Sequence, residues 1–425
     1  MTRDALGNEV SGGPDAVVLL DEAVDRSLRH DGGVAEAARA ATSADPGFAL
    51  AHAVLAMADP STTTASLARA RSLLEHGATD YERSLVGFLD RLLRGGMWAA
   101  AQVGVEHAAA HPRDLLGVGL AATIVERSTR PDVHEAVLAV YAPSRRVLGE
   151  HPYLLSMIGF VVHEQGRFAE AGAMAQQALD AQPGSVTAAH LRTHVHLETA
   201  DHDAGLAWLD GFRERMDPRG DYVHHLGWHA ALHTLALGDA DATLTRLESL
   251  SGPDCDQFRH VVDNGTLLMR CRLCGLLGPT QDTTGGRGGD PPSPWLTEMP
   301  SMYVGFHTAV GLAVQHRGDD LRALARAADR MVMPGAGELL APLCLALADY
   351  VDGQHGPAAD ALLALRPTSY RWGGSRAQRD VVEDVLIDAA IRGGRDDVAA
   401  AVLSQRTDRR PNRWDEAALA SMGRP

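Results

Sequence analysis

Apolar residues recur three and four positions apart along almost all of this 425-residue chain. That is the period of an α-helix with one buried face, and it leaves little room for any other element. Ala and Leu dominate, aromatic residues are 5%, and no convincing run of alternating β-branched residues interrupts the pattern. Turn-then-helix punctuation falls at Gly33, Gly96, Gly166, Asp201, Gly238, Gly318, Gly353 and Gly394. Asp201 follows Gly166 by 35 residues, as Gly353 follows Gly318. A length that suggests two or three domains is therefore read as internal repetition.

The clearest unit runs from His151 to Gly184, with Gly159, Gly166, Phe168, Ala171, Ala178 and Pro183 at or near the positions of a 34-residue tetratricopeptide repeat. Small residues let two helices of a hairpin approach closely, Gly permits the turn, and Pro ends the second helix. Pro218 closes the hairpin after Asp201 in the same way. The expected fold is all-α, a right-handed α-solenoid of degenerate tetratricopeptide-like hairpins, tightly curled. Residues 1–13 are read as a flexible N-terminus and 14–277 as an N-terminal array of hairpins. Residues 278–300 form a Gly/Pro-rich loop carrying Gly285, Gly286, Gly288, Gly289, Pro291, Pro292 and Pro294. Residues 301–420 continue the same solenoid, and the loop is read as a solvated linker, or a lid over a binding surface.

Composition narrows the chemistry. The chain has Asp+Glu 55 against Lys+Arg 39, a net charge of −16, which argues against a nucleic acid or an anionic membrane as partner. No Lys occurs, so every one of the 39 basic residues is Arg. A P-loop nucleotide site and a pyridoxal phosphate Schiff base both need Lys and are excluded. Four Cys (Cys255, Cys271, Cys274, Cys344) are too few for a disulfide scaffold, and with no signal-like leader the expected location is the cytoplasm. The longest apolar stretches fall well short of a membrane span.

Histidine is the strongest feature outside the repeat, 20 in all. His190, His194 and Glu198 are spaced i, i+4, i+8, and His225, His229 and His233 repeat that spacing on the first helix of the next hairpin. Each trio shares one helical face. In such a solenoid first helices line the concave surface side by side, so the trios face one another across a groove. Three readings stay open. His190, His194, His225 and His229 could ligate a metal, with Zn, Fe or Mn as candidates. The same residues could bind a small polar ligand, or work as acid and base. They could also form a buried polar network that fixes the register of the hairpins.

The stretch from His151 to Glu248 resembles the tetratricopeptide repeat protein 38 family. That family carries a His-x-x-x-His-x-x-x-Glu helix followed by a His-x-x-Trp-His helix, here His190, His194, Glu198 and then His225, Trp228, His229. Its later Gly-Gly-Ser-x-Ala-Gln-Arg-Asp motif is matched at Gly373, Gly374, Ser375, Ala377, Gln378, Arg379 and Asp380, and an Asp before an apolar-Arg stretch by Asp263 and Arg270. The resemblance runs from about Pro14 to Ala420. It implies a helical solenoid with these residues gathered near one surface, and implies no reaction. The chain departs from the pattern in three places. His163-Glu164 stands for a paired Glu, Tyr303-Val304-Gly305 stands for Phe-Asn-Asp before His307, and Arg376 stands for a His.

Ser375 with Gln378 three residues on forms a capping box before an apolar helix. With Arg376 and Arg379 in its first turn and Arg371 beside it, this N-terminus is either an anion site or a well-capped turn with solvated Arg. Cys271 and Cys274, with Cys255 and His260 upstream, superficially offer four zinc ligands, but the resemblance implies Leu at the two Cys positions, so they are read as small core residues. Ligand or partner binding through a His-rich concave surface is placed first. The alternative is a small-molecule enzyme or metalloprotein with Glu198 and His229 as acid and base. His190, His194, His225, Trp228, His163, Glu164, His307, Arg376 and Arg379 are the candidate binding residues. The expected partner is a protein, or a small polar or anionic molecule.

Overall fold

A computed structural model describes residues 2–75, 77–252, 255–278, 281, 289–296 and 298–422. Gly285, Gly286 and Gly288 of the Gly/Pro-rich loop lie outside the described residues. Among the described residues the regular structure is helical apart from one two-residue ladder, in which Thr2 pairs with Val10 and Arg3 with Glu9. Residues 1–13 were expected to be flexible. Among those described, Ser11 ties the segment down by donating its backbone N–H (3.0 Å) and hydroxyl (2.7 Å) to Glu82. No described helix is long and apolar enough to cross a membrane.

Sequence-adjacent helices pair, for example Pro14–Arg29 with Val34–Ala44, Pro152–Glu164 with Phe168–Ala181, and Ala341–Val351 with His355–Leu365. The punctuation read from sequence falls at the turns. Gly33, Gly96, Gly166, Gly238, Gly353 and Gly394 all have positive φ. At the other two turns the left-handed residue is Ala200, just before Asp201, and His316, just before Arg317 and Gly318. Gly96 (φ 76°) breaks the Asp80–Ala110 segment into two helices.

Close approach is visible in the best repeat-like unit. A Cβ on Gly159 would meet Leu191 Cδ2 at 2.4 Å, so a larger residue here would require the Leu191 side chain to shift. Ala171 and Ala178 are wholly buried on the facing helix.

Two compact units emerge. The first comprises Met1–Glu126, Asp132–Leu191 and Arg215–Val223, the second Arg127–Pro131, Arg192–Glu214 and His224–Pro425. The residues flanking the Gly/Pro-rich loop on both sides belong to the second unit, so the loop does not mark the division between them. Nor is the described part of that loop wholly solvated. Gly289 is buried and donates its N–H to His260 O (3.0 Å). A Cβ on Gly311, in the Met302–Val314 helix, would lie 2.1 Å from the Gly289 carbonyl oxygen. Because backbone rather than a flexible side chain fills that space, Gly311→Ala is expected to lower stability by at least ~2 kcal/mol. Gly166→Ala, with open space around its Cβ and only φ strain, is expected to cost about 1 kcal/mol. Urea midpoints of the two variants check this ordering.

Candidate functional site

Val186–Glu198 runs from the first unit into the second, and Val223–Ala236 carries the other trio. Helical spacing puts His190 one turn before His194. In the first unit His190 packs on Phe160 and Tyr222, with ring centroids at 4.7 and 5.2 Å. Within the second unit His194 meets His229 edge-on at 4.4 Å, and their ring nitrogens come within 4.8 Å. His225 meets the other side of His229 at 4.7 Å and stacks on Trp228 at 5.3 Å. His194 and His229 are 0% exposed and His225 4%. These histidines are therefore interior groups, not the lining of an open groove.

An interior imidazole needs something to fix its tautomer and orientation. His225 has Asp263, whose Oδ1 lies 2.9 Å from its Nδ1. Asp263 is itself buried, and burial alone would raise its carboxyl. The facing His225 and Arg259 more than offset this and hold it well below the usual carboxylate range. Asp263 sits in a π-helical turn, His260–Asn264, leading into Gly265–Leu273. Carboxylate-to-His hydrogen bonds of this kind orient imidazoles whose other nitrogen serves a ligand.

The ends of the trios go elsewhere. His233 leaves the cluster for His202, Nδ1 to Nδ1 at 3.2 Å. Burial lowers the His233 ring to about 3 and that of His202 to about 4. Glu198 meets guanidinium groups: Arg410 at 3.1 Å, with Arg376 and Arg409 at 3.7 Å each. Arg410 and Arg409 also pair with Asp380. Burial raises the Asp380 carboxyl, but these arginines, with Arg406 and Arg270, bring it down to about 2.

The remaining candidates divide between the units. In the first, His163 is buried against Phe168 and lies 3.3 Å from Glu164, its sequence neighbour. In the second, His307 Nδ1 donates to the Tyr303 carbonyl oxygen (2.8 Å), and burial lowers its ring to about 3. Its Nε2 is buried without a hydrogen-bond partner. Tyr303 accepts from Gln378 Nε2 at 2.7 Å. The Ser375–Gln378 capping box is present. Arg379 is turned back onto the Gly374 carbonyl, and Arg371 bonds Thr129 O (2.8 Å) and Glu338 (2.5 Å).

The cysteines are all free thiols. Burial raises Cys255 and Cys271 to about 12, and Cys274 and Cys344 are likewise raised. Among the described residues the one group with metal-ligand geometry is the histidine set.

Motif spacing alone did not mark Arg410 or Arg409 as the partners of Glu198, and no local signal could have, because they lie more than 200 residues away in the chain. Asp263 was pointed out only by the family resemblance. No family model matches the chain.

Proposed function

We propose that this protein is a tetratricopeptide-like helical-repeat protein whose histidine cluster binds a transition-metal ion, with His194 and His229 as the central ligands. The observation that carries this reading is the convergence of two fully buried imidazoles, with ring nitrogens within 4.8 Å of each other. Two nitrogens on one tetrahedral zinc, each ~2.0–2.1 Å from the metal, stand roughly 3.3 Å apart. Small side-chain rotations close that gap. Asp263 orients His225 as a further donor. Neutral nitrogen donors without a carboxylate in the set favour zinc-like ions over magnesium or calcium.

The burial of these rings makes a compact ligand the better occupant than an extended peptide. The resemblance to the tetratricopeptide repeat protein 38 family belongs to this proposal, which assigns no reaction. Glu198, engaged by three arginines, is a charge partner within the fold rather than the base of a catalytic pair.

Metal analysis by mass spectrometry, on protein dialysed without chelator, tests the reading. Near-stoichiometric zinc, iron or manganese is expected, reduced to background in a folded His194→Ala/His229→Ala variant. Metal-free wild-type protein that also shows no cobalt(II) absorption on titration would overturn it. So would equal metal in both proteins. His194→Gln/His229→Gln serves if the Ala variant does not fold.

A further inference from the structure

The second unit holds a cavity of about 400 Å³ at the N-terminal end of the Arg376–Arg392 helix. Four guanidiniums line it, Arg366, Arg376, Arg379 and Arg409, against two carboxylates, Asp380 and Glu383. The lining therefore carries two more positive than negative charges. Arg366 is largely occupied, bonding Glu383 and Gln405 at 2.7 Å each. Arg409 is not. It approaches Glu198 and Asp380 only at 3.7 and 3.8 Å, and its Nε and Nη2 are buried without hydrogen bonds.

A second, independent group points the same way. Trp372 is 2% exposed and lines the cavity, and its indole Nε1 is buried without a partner. Indole nitrogen and guanidinium nitrogens can only donate. A buried donor left unmet is costly, so the unmet hydrogen bonding of Arg409 and Trp372 asks for acceptors and the surplus charge asks for an anion. The dipole of the 17-residue helix, whose first turn is closed by the Ser375–Gln378 capping box, acts in the same sense. Leu362, Leu363 and Leu386 supply an apolar wall.

We propose that this cavity binds a small phosphomonoester, with the phosphate held by Arg409, Arg376 and the Trp372 indole and an apolar body against the leucines. A phosphomonoester carries about −1.5 to −2 charges at neutral pH, matching the surplus of the lining, where a carboxylate would offset only half. This site is separate from the histidine cluster, and its test is independent of metal.

Isothermal titration of the full chain with phenyl phosphate is the experiment, with benzoate and benzyl alcohol as comparison probes. Phenyl phosphate is expected to bind, benzoate more weakly and benzyl alcohol not detectably, with affinity falling as salt rises. Arg409→Gln is expected to weaken phenyl phosphate binding by about tenfold or more. Trp372→Phe, which keeps the ring and removes the donor, is expected to weaken it severalfold. Arg326→Gln, on the exposed side of Gly318–Ala328, should change nothing. If Arg409→Gln does not fold, Trp372→Phe carries the test. No binding at millimolar phenyl phosphate overturns the proposal, and so does wild-type affinity in Trp372→Phe and Arg409→Gln. Benzoate binding as tightly as phenyl phosphate would overturn the assignment to a phosphomonoester.

Discussion

Arg406→Met is expected to destabilise the protein by about 3–5 kcal/mol, the range for breaking a buried ion pair from one side. Arg406 is 6% exposed. Its Nε donates to Asp415 Oδ2 at 2.6 Å, its Nη2 to the other oxygen of the same carboxylate, and its Nη1 to Asp384 at 2.5 Å. The facing acids, though burial opposes the charge, keep its guanidinium protonated well above the ordinary Arg range. Methionine matches much of the volume, so little of the loss would come from a cavity. The loss would come from Asp415, 3% exposed, left beside only Asn412 Nδ2 at 2.6 Å. Asp384 suffers less because Arg270 still reaches it at 3.0 Å. The double variant Arg406→Met/Asp415→Leu should therefore recover more than half of the loss. Urea denaturation of the three proteins measures this. A single-variant loss below about 1 kcal/mol would show that the pair is effectively solvated.

Lowering the pH from 7 to 5 should cost a few kcal/mol through three buried histidines, offset in part by Asp21, whose carboxyl burial raises to about 6. Burial lowers His202 to about 4 and His233 and His307 to about 3. In the unfolded chain each takes a proton near 6.5. Between those values the unfolded state binds protons that the folded state refuses, so stability falls as pH falls. The contribution is fully present above about 6.5 and is lost progressively towards 3 to 4. Each histidine loses about 2 kcal/mol by pH 5, and contact between His202 and His233 makes their sum less than additive. Asp380 acts in a different window. Held at about 2 in the folded state, it contributes above its unfolded value near 3.8 and is lost only below it. Urea midpoints at pH 7 and 5 test the histidine window. His307→Leu should flatten the slope, which separates this effect from the release of any metal at low pH. Equal midpoints at both pH values would rule it out.

The helical period and the turn positions were legible in the sequence because each depends on neighbours three or four residues away. So were the capping box at Ser375 and the close contact at Gly159. The histidine spacing correctly put His225 and His229 on one face, and adjacent helices brought His194 to His229. What spacing could not show was how far a face drifts across two turns. About 80° of drift over eight residues was enough to send His233 to His202 and to leave Glu198 among arginines. The π-helical turn at His260–Asn264 adds a residue to its turn, so the facing of Asp263 cannot be counted from the ordinary helical period. Gly289 was unreadable for a different reason. Its packing against Gly311 involves backbone atoms of a segment whose composition suggests only solvent.

The last helix, Arg413–Ser421, has a consequence for how the second unit comes apart. Trp414 Nε1 donates to Leu235 O at 2.7 Å, and Arg410 reaches Glu198 across 212 positions of sequence. Gly265–Leu273 packs against Arg376–Arg392 as well. A linear array of repeats gains stability from each neighbour in turn, and can fray from its ends or open in the middle. Here the late helices are fastened to early ones, and opening either end breaks contacts at both. The second unit should then melt as a single cooperative block, with amides near Leu235 and those near Trp414 exchanging hydrogen through the same opening event.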